Sequence, residues 1–250
     1  MRRMVFVMTL LMMAGLPSAG AVTIDGSSAV GAVPGTAGTG LSAFYFKFDQ
    51  AVGPLSHADL LVASVGTPTA TFTALTVCFP ACGTVSSDND SLASYVAANG
   101  TALVGAPQLG YAVTQYKGYI AISSVGTHTF SLTSDDGSAL YIGGTLAVNN
   151  DGTHGFKGKS SNVTFDTAGL YPFFLDHFED RGRTGITLKM DGQSLATGSL
   201  YGVDFTVSPV PEISSHDGDG SGSLVPEPAS IALLGIGIAV MVPLRRRVRR

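Results

Sequence analysis

Two neighbouring aspartates, Asp135 and Asp136, are the residues with the clearest potential for chemistry. The pattern predicts a strand that ends near Leu132, a turn in which Gly137 lets the backbone reverse, and a second strand from Ala139. Adjacent like charges are unfavourable unless something neutralises them. A hard cation held by oxygen ligands does this, and Ca²⁺ is the usual extracellular choice. A turn in which the aspartates bond their own backbone accounts for the same residues, so the pattern leaves both interpretations open.

A second group of oxygen-bearing side chains follows shortly after the pair. Asn149, Asn150 and Asp151 stand directly before Gly152. These three residues can help to line a ligand site next to the aspartates, and a hairpin turn explains them equally well. We therefore keep them as candidate ligand-binding residues.

Motifs for catalysis do not occur in the sequence. There is no His-x-x-His or His-Glu pair, no Gly-x-Ser-x-Gly motif and no phosphate-binding loop. Asp176 and Glu179 flank His177 and suggest an acid–base group, but alternation along a strand places neighbours on opposite faces. We therefore predict that the protein is not an enzyme. The five histidines are scattered: His57, His128, His154, His177 and His216.

The two cysteines, Cys78 and Cys82, have the spacing C-x-x-x-C. In an oxidising compartment such a pair closes a small loop as a disulfide, which is our prediction. A metal or redox pair is the alternative, but a metal site needs further Cys or His ligands, and none is near in the sequence.

The N-terminus has the pattern of a secretory signal peptide over residues 1–21. Arg2 and Arg3 precede an apolar run from Met4 to Leu16, and Ala19-Gly20-Ala21 offers the small residues that signal peptidase needs. The run is too short to span a bilayer as a helix. We expect cleavage after Ala21 and export of the remaining chain.

The C-terminus has three parts in order. These are the rigid motif 225–228 (Val225, Pro226, Glu227 and Pro228), an apolar segment 229–244 and a basic end 245–250. The apolar segment reaches roughly 24 Å as a helix, close to a bilayer core of about 30 Å. Basic residues resist translocation, so the body of the protein lies outside the membrane. A plain tail anchor is the alternative to the interpretation that follows.

This tail resembles the PEP-CTERM sorting signal of Gram-negative bacteria. The resemblance rests on Val225-Pro226-Glu227-Pro228-Ala229-Ser230, the apolar run that follows and the terminal arginines. It implies a transient transmembrane anchor in the inner membrane, cleavage near the motif by an exosortase, and delivery to the cell envelope, the outer surface or the extracellular matrix.

Charge excludes one class of partner. Seven of the 14 basic residues are Arg2, Arg3 and the five arginines of 245–250. All 18 acidic residues lie between Arg3 and Arg245, so the chain between these basic ends has a net charge of −11. Such a surface repels nucleic acid and attracts cations. Two segments of this part look unstructured: a Gly/Ala/Ser-rich leader, 22–40, and a flexible linker, 208–224.

Residues 41–207 have the pattern of an all-β domain. Short runs with period-two alternation are separated by Gly, Asp and Asn turns, which predicts an antiparallel sandwich or barrel. One helical stretch interrupts them, from Ser91 to Asn99, with a serine start and Gly100 as its stop. The predicted strands are 43–48, 119–122, 127–133, 139–142, 171–176 and 185–190.

The order of motifs in this domain resembles the protective-antigen-type β-barrel domain, which is named for the anthrax toxin component. Its core is Ser134-Asp135-Asp136-Gly137-Ser138 with the downstream Asn149-Asn150-Asp151-Gly152-Thr153-His154-Gly155. The flanking motifs are Tyr116 to Ile120, Gly126 to Phe130, Leu140 to Gly144, Gly169 to Pro172 and Phe178 to Asp180.

The resemblance implies that Asp135 and Asp136 are joined by a cis peptide and bind Ca²⁺, which in turn binds sugar hydroxyls. Sugar-binding members add an asparagine from a late loop, whereas here the loop 177–184 has no Asn. Two alternatives follow: Glu179 or Asp180 substitutes for it, or the site is weaker or absent. The function implied is calcium-dependent carbohydrate binding by an exported protein. The alternative is a structural surface or biofilm protein with no specific ligand.

Overall fold

The computed structural model describes residues 21–205, and these residues fold into two β-sheets with two α-helices. The predicted signal peptide, apart from Ala21, and the predicted linker and sorting tail lie outside the described residues. Within residues 21–205 no helix is long and apolar enough to cross a membrane.

The strands are numbered in chain order. They are β1 (Val22–Ile24), β2 (Leu41–Lys47), β3 (Ala70–Ala74), β4 (Cys78–Phe79), β5 (Ser86–Ser87), β6 (Gly100–Val104), β7 (Ala112–Ile122), β8 (Gly126–Asp135), β9 (Ser138–Ile142), β10 (Thr145–Asn150), β11 (Lys157–Phe165), β12 (Gly169–Glu179), β13 (Arg183–Met190), β14 (Gln193–Ser194) and β15 (Leu200–Gly202). The α-helices are α1 (Leu55–Val65) and α2 (Leu92–Val96), and two short 3₁₀ helices cover Gly26–Ser28 and Thr197–Ser199.

The two sheets are separate. The smaller has the order β1-β11-β8-β13-β14, with β4 and β5 also paired to β13, and the larger has the order β10-β9-β12-β7-β2-β3-β6, with β15 paired to β7. All of these pairs are antiparallel except β1 with β11. The prediction of an antiparallel β fold is confirmed, but each sheet keeps its edge strands, so the domain is a sandwich and not the closed barrel that was the other expectation.

The main core lies between the sheets because alternate residues of both sheets point inward. Phe165 of the smaller sheet contacts Phe130 within its own sheet and Tyr171 of the larger sheet, with ring centroids 6.3 and 5.1 Å apart. All three rings are fully buried. This packing fixes the distance between the layers, and with it the positions of strand ends that face each other.

A second core covers the outer face of the larger sheet. Leu55, Ala58 and Val62 of α1 pack with Phe46 and Phe178, among other apolar residues of that face. The helix ends at Gly66, whose left-handed φ of 66° suits a residue without a side chain. Sequence analysis did not predict this helix.

Residues 22–40 were expected to be a loose leader, and the structure corrects this. β1 pairs in parallel with β11, placing Val22 opposite Val163 and Ile24 opposite Phe165. Ile24 is buried in the main core. The folded unit therefore begins before residue 41, because this strand covers apolar surface at the edge of the smaller sheet.

The other local predictions hold with changed ends. Each of the six predicted runs lies on a strand, and α2 is capped as expected, since the N–H of Ser94 donates to the hydroxyl oxygen of Ser91 over 3.1 Å. The Cys78–Cys82 disulfide is present. The strand expected to end near Leu132 instead continues as β8 to Asp135, because its last residues pair with β13 up to Gly185.

Candidate metal centre

The paired aspartates lie where the chain passes from one sheet to the other. Asp135 is the last residue of β8 in the smaller sheet, and Ser138 begins β9 in the larger sheet. The peptide bond between Asp135 and Asp136 is cis, as the family resemblance implies. A side chain at Gly137 would overlap the ring of Phe178, so this position needs glycine.

The end of β12 holds this turn in place. The N–H of Asp136 donates to the carbonyl oxygen of Phe178 over 3.2 Å, and the N–H of Phe178 donates to the carbonyl oxygen of Gly137 over 3.0 Å. His177 donates from Nε2 to the carbonyl oxygen of Asp135 over 2.9 Å. The backbone of Asp135, Asp136 and Gly137 is thus hydrogen-bonded to His177 and Phe178 of β12.

Backbone N–H groups also hold the two carboxylates. Asp136 accepts from the N–H of His154 over 2.7 Å on Oδ1 and from the N–H of Asp180 over 3.0 Å on Oδ2. Asp135 accepts a backbone hydrogen bond from Phe156. These donors come from other loops, so the aspartates do not bond their own backbone as a simple turn would require.

A third carboxylate completes the cluster. Glu179, the last residue of β12, is only 3 % exposed, and neither of its carboxylate oxygens has a hydrogen-bond partner within residues 21–205. Oxygen atoms of Asp135, Asp136 and Glu179 lie within 4.8 Å of one another. Sequence analysis had named Glu179 and Asp180 as alternatives, and the structure brings Glu179 to the pair.

The cluster is electrostatically unfavourable without a positive charge. Burial, followed by the charge of Asp136, raises the pKa of Asp135 to about 6. Burial, followed by the charges of Asp136 and other acids, raises the pKa of Glu179 to about 10. Burial also raises the pKa of Asp136. Three converging oxygen ligands, one of them buried without a partner, fit a hard divalent cation such as Ca²⁺.

Asp180 and Asp151 have structural partners instead. The Asp180 carboxylate accepts from the N–H groups of Val52 and Gly53, over 2.5 and 3.1 Å, and so holds the loop before α1. The Asp151 carboxylate accepts from the N–H of Leu55, the first residue of α1, over 3.1 Å. Both aspartates position the elements around the cluster.

The side chains of Asn149 and Asn150 also form hydrogen bonds within the fold. Asn149 is exposed, and its side-chain oxygen accepts from the N–H of Asp151 over 2.9 Å. Asn150 is buried and donates from Nδ2 to the Ser134 hydroxyl over 2.9 Å and to the Lys157 carbonyl over 3.1 Å. The hydroxyls of Ser134 and Ser138 are 2.7 Å apart, so a buried polar network backs the aspartate turn.

Sequence analysis missed the role of Asp88. Its carboxylate accepts from the N–H of Gly182 over 2.6 Å, which anchors the loop after Glu179. Its charge is one of those that raise the pKa of Glu179. No spacing rule identifies Asp88, because β5 and β13 bring it to the loop across a long stretch of chain.

The histidine at this centre is not placed for acid–base chemistry. His177 is buried, and burial lowers its pKa to about 4. Asp176 faces the other side of β12, where its pKa is raised well above the ordinary value, first by burial and then by the charge of Asp59 on α1. Asp176 and His177 therefore lie on opposite faces of β12, as the alternation along a strand predicts.

Comparisons with known proteins agree with the fold described above. The family model of the PA14 domain matches residues 85–198. Among solved structures, a PA14 sugar-binding domain from an RTX adhesin is 17 % identical, covers 67 % of this chain and 100 % of its own, and has a TM-score of 0.56. The PA14 domain of the antifreeze protein MpAFP is 18 % identical, covers 68 % of this chain and 94 % of its own, and has a TM-score of 0.55. Comparison with curated proteins gives no match.

Proposed function

We propose that this chain, whose residues 85–198 match the family model of the PA14 domain, binds carbohydrate through a calcium ion held by Asp135, Asp136 and Glu179. One observation carries the proposal. Three buried carboxylates converge, and one of them, Glu179, has no hydrogen-bond partner for either oxygen in the described part of the chain. Buried carboxylates are paired or bind metal, and oxygen-rich clusters suit Ca²⁺.

The chain's own residues supply the positioning. His154 and Asp180 hold the Asp136 carboxylate by their N–H groups, and His177 holds the backbone of Asp135. Bound Ca²⁺ would supply positive charge to the carboxylates and offer open coordination positions to sugar hydroxyls. The resemblance to a sugar-binding adhesin domain supports carbohydrate as the ligand class.

We also propose that the protein is exported and functions outside the cell. Export by a signal peptide that ends at Ala21, a temporary membrane anchor at 229–244 and exosortase cleavage near Val225 to Pro228 remain predictions from the sequence. The disulfide suits an oxidising compartment. Intact mass and N-terminal sequencing of the exported protein test these sites, since a retained tail or an uncut N-terminus would contradict them.

We also propose a binding role in place of catalysis. The only histidine whose side chain contacts the aspartate backbone in residues 21–205 is His177, which is buried and neutral at physiological pH. Calcium and sugar binding need no proton transfer. Release of hydrolysis products from any polysaccharide that the protein binds would contradict this proposal.

Calcium titration followed by thermal unfolding tests the metal site. A ligand that binds only the folded state stabilises it by about 2.7 kcal/mol at 100 times its Kd. The variant Asp135→Asn with Asp136→Asn should lose this gain. The matched control, Asp49→Asn with Asp166→Asn, changes the charge equally at exposed positions and should keep it. If calcium does not change the melting temperature of the wild-type protein, the proposal of a calcium site is wrong.

A glycan array with and without chelator tests the ligand class. Binding that is lost on chelation, and lost in the Asp135→Asn with Asp136→Asn variant, is the expected result. If calcium stabilises the protein but no glycan binds, the structural surface role replaces carbohydrate binding. If glycans bind equally well with chelator, the sugar site does not depend on the metal.

A further inference from the structure

A small enclosed cavity lies directly behind Glu179. Its volume is about 10 Å³, and polar residues from five elements line it. They are Tyr45 of β2, Tyr95 of α2, Thr114 of β7, His177 and Glu179 of β12, and Thr184 of β13, which belongs to the other sheet. A space of this size holds one water molecule when enough polar partners surround it. The cavity is thus the size of a single solvent site.

Several polar atoms around this cavity lack a hydrogen bond of good geometry in the described region. They are the hydroxyls of Tyr45 and Tyr95 and both carboxylate oxygens of Glu179, and the Thr184 side chain lies near the Tyr95 hydroxyl. Tyr45, Tyr95 and Glu179 are 3 %, 2 % and 3 % exposed. Buried polar atoms are almost always satisfied by protein or by ordered water, so a cluster of unsatisfied atoms around one cavity indicates what fills it.

We infer that one buried water molecule occupies the cavity, accepts hydrogen bonds from the hydroxyls of Tyr45 and Tyr95, and donates to the Glu179 carboxylate. The two tyrosines thereby act as positioning residues for the third calcium ligand. This second step rests on the proposed function, whereas the presence of the water does not.

The two tyrosine rings are held independently of their hydroxyl groups. Tyr95 stacks on Phe79, with ring centroids 5.8 Å apart. Tyr45 lies in the centre of the larger sheet, where it pairs with Ala70 on one side and Thr114 on the other. Because the two rings are fixed, their hydroxyl groups are fixed as well, and they can orient the Glu179 carboxylate through one water molecule. Residues that hydrogen-bond to a metal ligand in this way tune metal affinity as well as geometry.

Removal of each hydroxyl tests the positioning role. Tyr45→Phe and Tyr95→Phe keep the ring but remove the donor, and we expect each to weaken calcium binding about tenfold in calorimetric titration. Tyr119→Phe is the matched control, because Tyr119 is partly exposed and does not line the cavity, and it should bind calcium as the wild type does. In a Glu179→Gln background, Tyr95→Phe should have no further effect on calcium affinity.

A crystal structure of the full exported chain grown with chelator tests the water alone. Electron density for one water within hydrogen-bond distance of Tyr45, Tyr95 and Glu179 supports the inference. A dry cavity overturns it. If the water is present but both Tyr45→Phe and Tyr95→Phe bind calcium as tightly as the wild type, the positioning role is overturned. Failure of the wild-type protein to bind calcium removes the proposed function and the positioning role, yet leaves the water to be decided by the density.

Discussion

His177 donates a hydrogen bond from Nε2 to the carbonyl oxygen of Asp135 over 2.9 Å, from inside the core of the larger sheet. A carbonyl oxygen can only accept, so the imidazole carries its proton on Nε2. Burial lowers the pKa of His177 to about 4, so the ring is neutral at physiological pH. The backbone of Asp135 is therefore fixed, while its carboxylate lies near those of Asp136 and Glu179.

Replacing the histidine should cost stability and metal affinity together. His177→Leu leaves the Asp135 carbonyl buried without its donor, which costs about 1–3 kcal/mol in the free energy of unfolding. We expect weaker calcium binding as well, because the Asp135 backbone is no longer fixed. Urea unfolding with chelator and calorimetric titration measure the two effects. His57→Leu, at an exposed position on α1, is the control, and equal losses in both variants would contradict a specific role for His177.

Replacing the buried glutamate should have two effects of opposite sign. Burial raises the pKa of Glu179 to about 10, so at neutral pH folding without calcium requires this carboxylate to take up a proton. Glu179→Gln removes that cost, so the calcium-free protein should become more stable at neutral pH. The same change removes a ligand, so calcium affinity should fall. Thermal unfolding with and without calcium separates the effects. Asp49→Asn should change neither, and a Glu179→Gln protein that is destabilised with chelator would argue against an unpaired buried carboxylate.

The calcium-free protein should lose stability as the pH rises from 6.5 to 8. In this window the folded state keeps a proton on Glu179, whose pKa is about 10, while the unfolded chain has already released it. The folded state then binds more protons, so stability falls with rising pH, by up to about 1.4 kcal/mol per pH unit for one group. His128, whose pKa the Asp191 carboxylate raises, contributes with the same sign.

Urea unfolding at several pH values with chelator measures this slope. Glu179→Gln should reduce it, and saturating calcium should reduce it as well, because a bound cation favours the ionised carboxylate. A slope that is the same in the wild type and in Glu179→Gln would show that other groups, such as the buried Asp176, set the pH dependence.

Asp151 should matter for stability more than for calcium. Its carboxylate accepts from the N–H of Leu55 and so caps α1 from outside the helix. Asp151→Ala should lower the free energy of unfolding by about 1 kcal/mol, as the loss of a helix cap does. Calcium affinity should stay near the wild-type value. Asp49→Ala serves as the control, and a large loss of calcium affinity in Asp151→Ala would mean that this residue belongs to the metal site after all.

The aspartate pair was predictable because its evidence is local. Two acids followed by Gly137 stand out in the sequence, although the ring of Phe178, which requires the glycine, comes from a distant segment. The choice between Glu179 and Asp180 was not local. Neighbours on a strand point to opposite faces, so the answer depends on the register that places Glu179 opposite Ala112 of β7.

The rest of the centre depends on contacts between distant segments. Tyr45, Tyr95 and Glu179 meet only because β2, α2 and β12 are brought together by the fold. The helix α1 left a detectable signal in Gly66, its C-terminal stop, but its apolar residues could equally belong to a strand. The leader 22–40 was misjudged because its Gly and Ser content hides the short strand β1, which gains its stability from β11.

The aspartate pair lies at the end of β8 in the smaller sheet, and Glu179 ends β12, one of the two longest strands of the larger sheet. Their shared centre is therefore also a mechanical junction between the two sheets. A cation bound by residues of both sheets would cross-link the two sheets. Tension that slides one layer over the other would have to break metal–oxygen bonds before it could open the apolar interior. Calcium would then set how much pulling force the domain withstands as well as what it binds.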